Sequence, residues 1–358
     1  MSPPRVWVVQ SPHSGDNTQL RALAAGLGWP SEVKQLVYRN WEPLARLLSL
    51  ASLAGVDRAR SSPLAPPWPD LIICSGRAAE AVAFWIRRQK PSCRIVFLGT
   101  PWAAHRHFDL IITTPQYRLP QARNILHNLL PLHDATPNLL ADAAARWQGR
   151  LAHLPLPLTA VLVGGRSGPY LMTPEAAARL GRAASDIAAA EGGALLVTTS
   201  ARTSEAAAAA LLAAIGVPCH LHRWTKAADE NPFHAFLGLA SRIIVTADSV
   251  SMMAEAVSTG KPVLLFDIEH GRYAMRAEDS APQPAPIGWR GRSLDTTLFR
   301  LLINHAPARF SRDLRIVHRQ LVAAGHAQWI GAPQQAPVPP PGDELARAVA
   351  RIRSLFGL

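Results

Sequence analysis

Three stretches in the second half of the chain combine the residue types that bind anions and sugars. "VLVGGRSGPY" (Val161 to Tyr170) carries Gly164, Gly165 and Gly168, which let a backbone turn sharply and approach a ligand without side-chain clash, and Arg166 sets a cation beside their amides. The pattern is neither G-x-G-x-x-G nor a P-loop ending in Gly-Lys-Ser/Thr, so it is a phosphate cradle of no standard kind or simply a tight turn. "LLVTTSARTSEA" (Leu195 to Ala206) places Thr198, Thr199 and Ser200 at a strand end and follows them with Arg202, whose planar fork matches phosphate oxygens. The plainer use of the same residues is a helix capped by Thr203 or Ser204 and a solvated arginine.

The third stretch, "VTADSVSMMAEAVSTGKPV" (Val245 to Val263), runs from a strand into a helix that Asp248 or Ser249 can cap. A capping box does not account for Glu255: with Ser249 as cap, the partner position is 252, which is Met252. Ser251 and Glu255, four apart, share one helical face, while Met252, Met253, Ala256 and Val257 form the expected buried one. On this reading the serines aim hydroxyls and helix-start amides at an anion, and Glu255 accepts hydrogen bonds from sugar-type hydroxyls. A solvent-facing glutamate is the bland alternative.

Such residues work only where strands end and helices begin, so the elements around them matter. Apolar runs alternate with helical stretches, the pattern of parallel sheets covered on both faces. In the first half strands are predicted at Val6–Val9, Leu71–Cys74, Ile95–Leu98 and Leu110–Thr113, with helices at Gln19–Leu27, Trp41–Ala54 and Ala78–Arg88. In the second half strands are predicted at Ala160–Val163, Ala194–Thr198, Ile243–Thr246 and Val263–Phe266, with helices at Pro174–Glu191 and Glu205–Ile215. A Pro-punctuated linker at about 151–159 and a second at Ala332–Asp343 divide the chain, and Asp343 caps a final helix, Glu344–Phe356. The expected class is α/β: two Rossmann-like doubly wound domains, 1–150 and 151–335, facing a cleft, with 336–358 as linker and a terminal helix crossing back to the first.

Composition narrows the partners. The chain has 358 residues, 48% hydrophobic and 17% charged, which suits two folded cores. Its net charge of +12 invites a nucleic-acid reading, but all basic residues except Lys34, Lys90, Lys226 and Lys261 are arginines, scattered among alanine runs and 31 prolines. That combination is what a GC-rich genome produces, and no basic arm is present. The expected partners are a nucleotide-sugar and, peripherally, an anionic membrane surface, with no specific nucleic acid. Cys74, Cys93 and Cys219 lack C-x-x-C spacing, so neither a disulfide framework nor a zinc site is expected. "MSPPRVWVVQ" lacks the long apolar core of a signal peptide, and a cytoplasmic protein, at most at the inner face of a bacterial inner membrane, is the expectation.

At these junctions the chain resembles a known family. "WTKAADENPFHAFLGLASRIIVTADSVSMMAEAVSTGKPV" (Trp224 to Val263) resembles the signature of the mitochondrial-fission ELM family, known from plant mitochondria and many bacteria. "PDLIICSGR" (Pro69 to Arg77), "FDLIITTPQY" (Phe108 to Tyr117), "NILHNLLPLH" (Asn124 to His133) and, more loosely, "SGDNTQ" (Ser14 to Gln19) are similar to it as well. More distantly, the strand–GGxxG and strand–Asp/Ser–helix–Glu arrangement resembles GT-B glycosyltransferases. That likeness implies a nucleotide-sugar held by the second domain, with Gly164, Gly165 and Ser167 facing the diphosphate, Ser249 and Ser251 the phosphates at a helix start, and Glu255 the ribose hydroxyls. The family's plant member is regarded as a recruiter of a dynamin-like protein, so the resemblance carries two functions on one fold.

The expectation is therefore a metal-independent transferase that moves a sugar from a nucleoside-diphosphate donor to an envelope or lipid-linked acceptor, with no obligatory cofactor, since no Asp-x-Asp pair is present. The alternatives are a non-catalytic adaptor on the same scaffold and a GT-B-like nucleotide-sugar epimerase. Arg166, Arg202 and helix-start amides would stabilise the departing diphosphate. An inverting reaction needs a base in the first half, where position alone selects His13 and Asp16. The plainer roles are a surface histidine and a cap for a helix starting near Thr18. "GTPWAAHRHFD" (Gly99 to Asp109) adds Trp102, His105 and His107, which suit sugar stacking or an ordinary loop; the histidine spacing is poor for zinc.

Overall fold

The computed structural model describes residues 2–11, 14–38, 51–168, 170–225, 230–270, 274–276, 312–333, 336 and 338–358. His13 lies outside these residues, as does the helix read over Trp41–Ala54 as far as residue 50. Two compact units result, residues 1–134 with 343–358, and residues 135–342.

In the first unit the strands are β1 (Val6–Val9), β2 (Ser31–Lys34), β3 (Leu71–Ser75), β4 (Arg94–Leu98), β5 (Leu110–Thr113) and β6 (Ile125–His127). They form one parallel sheet in the order β2-β1-β3-β4-β5-β6. β1 and β3 are apolar without alternation up to the closing Ser75, and every residue in them is buried, as strands covered on both faces must be. Val6, Val8 and Ile73 pack with Leu20 and Leu23 of α1 (Ser14–Leu27) on one face. Trp7, Val9 and Ile72 pack with Val82 and Ile86 of α2 (Arg77–Gln89) on the other. Period-2 alternation thus feeds two cores, one on each side of the sheet.

The second unit opens with α3 (Pro137–Leu151), ahead of the linker read at about 151–159. The helix belongs here because it packs against the helix Phe233–Leu239: a Cβ on Gly238 would lie 2.6 Å from the Leu140 carbonyl oxygen, so only glycine admits the approach. The remaining elements, in order, are β7 (Leu158–Leu162), a β8–β9 hairpin (Arg166–Ser167, Tyr170–Leu171), α4 (Pro174–Ala189), β10 (Ala194–Thr198), α5 (Glu205–Ala213) and β11 (Cys219–His222). There follow α6 (Phe233–Leu239), β12 (Arg242–Thr246), α7 (Val250–Ser258), β13 (Val263–Phe266), α8 (Leu314–Ala323) and β14 (Gln328–Trp329). Its parallel sheet runs β11-β10-β7-β12-β13-β14. Thr173 caps α4 by accepting the Ala176 N–H, and Ser204 caps α5 through Ala207.

The last helix, α9 (Glu344–Leu355), returns to the first unit. Asp343 caps it through the Ala346 N–H at 2.8 Å. Glu344 accepts the N–H groups of Leu129 and Leu130, Arg347 donates to the His127 carbonyl at 2.6 Å, and Ala348 and Ile352 are fully buried. The three cysteines are free thiols; burial pushes Cys93 up to about 12 and Cys74 further, so both stay protonated. Among the described residues no helix is long and apolar enough to cross a membrane, and no group of three or more His, Cys, Asp or Glu is placed to hold a metal ion.

Candidate functional site

In the second unit the chain builds outward from β7 in one direction through β10 and β11, and in the other through β12, β13 and β14. β7 and β12 therefore flank the point where the winding reverses, and the loops leaving their C-terminal ends diverge to opposite faces. The glycine loop and the Asp248 loop meet there. Asp248 is 0% exposed, and its Oδ2 accepts the Gly165 N–H at 3.0 Å, while the Thr246 hydroxyl accepts the Gly164 N–H at 2.7 Å. A Cβ on Gly164 would collide with the Asp248 carboxylate, and one on Gly165 with the Arg202 carbonyl. The glycines are required by packing, independently of any turn. Burial pushes the Asp248 carboxyl above its ordinary range, opposed by the Gly165 N–H, the Thr246 hydroxyl and the Arg202 charge.

The β10 loop locks onto the same glycines. The Thr203 hydroxyl donates to the Gly164 carbonyl and accepts the Ser200 N–H at 3.0 Å, and the Ser200 hydroxyl lies 3.1 Å from it. Thr203 is thus a loop latch, and the capping role falls to Ser204. Arg202, exposed, spends one Nη1–H on the Arg166 carbonyl at 3.0 Å, which orients its guanidinium over the β8–β9 hairpin. Ser167 is buried within that hairpin and Arg166 is exposed. The structure so brings Gly164, Gly165, Arg166, Ser167, Ser200, Arg202 and Asp248 to one end of one sheet.

Helix α7 departs from expectation in two ways. Asp248 turns back to Gly165 instead of capping, and Ser249 occupies the cap position without any side-chain capping bond. The helix is also packed on most of its circumference: Glu255 is only 8% exposed and lies among buried Met253, Ala254, Ala256 and Val257. Ser251 and Met252 are half-buried, so the division into a polar Ser251–Glu255 face and a methionine face does not hold, and a solvated Glu255 is excluded. Sequence reasoning missed His318 of α8. Its ring is fully buried against Trp329 and its Nε2 donates to the Ala247 carbonyl at 2.7 Å, bracing the Asp248 loop from behind. Burial lowers its pKa to about 4.

The first unit has a corresponding junction, between β1 and β3. Asp16 lies in the first turn of α1, not at its cap, because the helix starts at Ser14. Its Oδ2 accepts the hydroxyls of Ser11 at 2.9 Å and Ser75 at 3.2 Å, one from each strand end. Asn17 completes the clasp by accepting the Ser11 N–H at 2.8 Å and donating to the Ser11 carbonyl at 2.9 Å. A carboxylate is thus presented at the C-terminal edge of this sheet, half-buried and fixed by two hydroxyls.

With these junctions defined, comparison with known proteins is informative. The family model described as mitochondrial fission ELM1 matches residues 14–280, three quarters of the chain and all three loops of the second-unit site. The chain belongs to the mitochondrial fission ELM1 family. An uncharacterized protein of Rickettsia prowazekii (strain Madrid E) is 24% identical over 73% of this chain and 82% of its own length. The mitochondrial fission protein ELM1 of Arabidopsis thaliana is 25% identical over 57% of this chain, a match that spans 53% of the plant protein. Among solved structures, a Methanocaldococcus jannaschii UDP-GlcNAc 2-epimerase in complex with UDP-GlcNAc and UDP aligns over 99% of both chains at 9% identity and a TM-score of 0.51. At that identity the likeness is one of fold, and the fold of this ELM1-family chain is the GT-B type expected from its motifs.

Proposed function

We propose that this ELM1-family protein binds a nucleoside-diphosphate sugar in its second unit and transfers the sugar to an acceptor held by the first. The observation that carries the reading is the packing of Gly164 and Gly165 against Asp248 and Arg202 at the switch between β7 and β12. That packing locks the glycine loop, the Asp248 loop and the Arg202 loop together, and a guanidinium oriented by the Arg166 carbonyl stands at their edge. The Gly164 and Gly165 amides are already engaged by Thr246 and Asp248, so it is the oriented cation that would stabilise a diphosphate, and more strongly as charge develops on the leaving oxygen. Ser249 and Ser251 add hydroxyls at the start of α7, and Glu255 accepts the ribose hydroxyls.

In an inverting transfer the acceptor hydroxyl attacks the anomeric carbon, the bond from that carbon to the diphosphate oxygen breaks, and the hydroxyl proton passes to the Asp16 carboxylate. The nucleoside diphosphate leaves with the bonding electrons, its charge balanced by Arg202, Arg166 and the amides at the start of α7. Ser11 and Ser75 keep Oδ2 of Asp16 engaged, which sets the orientation of the carboxylate. His13 remains the second candidate base.

Family membership favours a second reading, a non-catalytic adaptor, since a relative is named for mitochondrial fission. The two separate on one experiment: release of nucleoside diphosphate from a panel of nucleotide-sugars, starting with UDP-GlcNAc. The transferase reading expects release from at least one donor, reduced roughly a hundredfold or more in Asp16→Asn with donor affinity unchanged. Binding without release in the wild type favours the adaptor.

A further inference from the structure

The first unit carries a cluster that the proposed transfer does not use. α2 opens with Arg77 directly after β3, and the Arg77 guanidinium carbon lies 3.8 Å from the centroid of the Trp102 ring. Glu80, one turn further along α2 and buried, accepts the N–H of Trp102 at 2.6 Å and of Ala103 at 3.0 Å. Pro101, just before, is buried too. Trp102 itself is 51% exposed.

Two parts of this arrangement oppose stability on their own. An indole half in water forgoes part of its apolar burial, and sequestering a carboxylate requires that its hydrogen bonds be good ones. Glu80 meets that requirement by fastening the two successive amides that hold the indole at the surface. A tryptophan pinned outward has little conformational freedom left to lose on binding. Arg77 is exposed and makes no ion pair with any described residue, so its outer N–H groups face solvent over a flat apolar ring.

We propose that the Arg77–Trp102 pair is a binding site for a phosphorylated saccharide, the C–H face of the sugar lying on the solvent-exposed part of the indole and the phosphate on the guanidinium. Arg77 stands in no run of basic residues, so the pair offers one cation beside one ring, which suits a single sugar phosphate and not the successive phosphates of a nucleic-acid strand. The site gives the transfer reading its acceptor class, and rests on that reading for the word acceptor only; the binding stands or falls by itself.

The test is a titration of the full chain with glucose 1-phosphate, followed at the Trp102 indole N–H signal in 15N-labelled protein. Trp102 is one of ten tryptophans, so the signal is assigned with Trp102→Phe. Glucose, inorganic phosphate and a single-stranded RNA hexamer serve as comparisons. The expected result is a saturable shift by glucose 1-phosphate at a concentration at least about tenfold below that needed for glucose or phosphate alone, weakened roughly tenfold or more in Arg77→Gln. Arg77 is exposed, and an unchanged melting temperature establishes that the variant is folded. The proposal is overturned if the signal does not move, if phosphate alone binds as tightly, if Arg77→Gln leaves the titration unchanged, or if the RNA binds more tightly than the sugar phosphate. Failure of nucleotide binding by the second unit does not alter the Trp102 signal, so the two readings fail separately.

Discussion

Gly165 and His318 show how closely the Asp248 loop is determined. A methyl group at position 165 meets the Arg202 carbonyl, which cannot move without unlatching Thr203 from Gly164. Gly165→Ala is expected to cost about 1–3 kcal/mol in urea unfolding and to abolish nucleotide affinity together with it. His318 controls the same loop through pH. Its Nε2 donates to a carbonyl, its Nδ1 is buried with no hydrogen-bond partner among the described residues, and its folded pKa of about 4 lies below the ordinary value of 6.5. The unfolded chain therefore binds the extra proton first. The stabilisation is complete above about pH 6.5 and is lost as pH falls towards 4, amounting to roughly 3 kcal/mol over that window. His318→Gln keeps an amide donor for the Ala247 carbonyl without the titration. Its stability is expected to fall less steeply than that of the wild type between those pH values, and parallel pH curves would remove His318 as the source of the slope.

At the scale of elements, the terminal helix is held by one side chain as well as by its apolar stripe. Glu344 accepts two adjacent amides, Leu129 and Leu130, that have no strand to pair with; burial pushes its pKa up, a penalty those bonds offset. Glu344→Ala is expected to destabilise the first unit by about 1–3 kcal/mol and to speed hydrogen exchange at the amides of Leu129 and Leu130. Elements of this kind divide into those legible in the sequence and those not. β1, β3, β10 and β12 are apolar runs that only a two-sided sheet buries, and the helix starts at Pro174, Glu205 and Glu344 have Thr, Ser or Asp before them. β2 (Ser-Glu-Val-Lys), β11 (Cys-His-Leu-His) and β14 carry no such mark, because edge strands are half-wet and tolerate polar residues. The candidate site was legible as a set of types: glycines, hydroxyls, an arginine and carboxylates at strand ends. Its wiring was not. Asp248 has the sequence position of a helix cap, yet the nearest open donor is the Gly165 amide on the adjoining strand's loop, and His318 is a lone histidine some seventy residues away whose role exists only in the packed sheet.

At the scale of the molecule, each unit presents its polar residues where its own sheet reverses winding, Gly165 with Asp248 in one and Asp16 with Ser75 in the other. Two sheets of the same parallel design with polar residues at both reversals are what the proposed two-substrate transfer requires. The net charge of +12 agrees with an anionic donor and a phosphorylated acceptor without selecting them. The transfer reading depends on the second unit holding a nucleoside diphosphate. The direct measurement is thermal unfolding of the full chain with UDP-GlcNAc and a panel of other nucleotide-sugars, in the wild type and in Glu255→Ala. A ligand present at about 100 times its dissociation constant is expected to add about 2.7 kcal/mol of stability to the wild type and much less to the variant. A panel that leaves the wild type unmoved, or moves both proteins equally, would contradict the assignment of the glycine loop and Glu255 to a nucleotide.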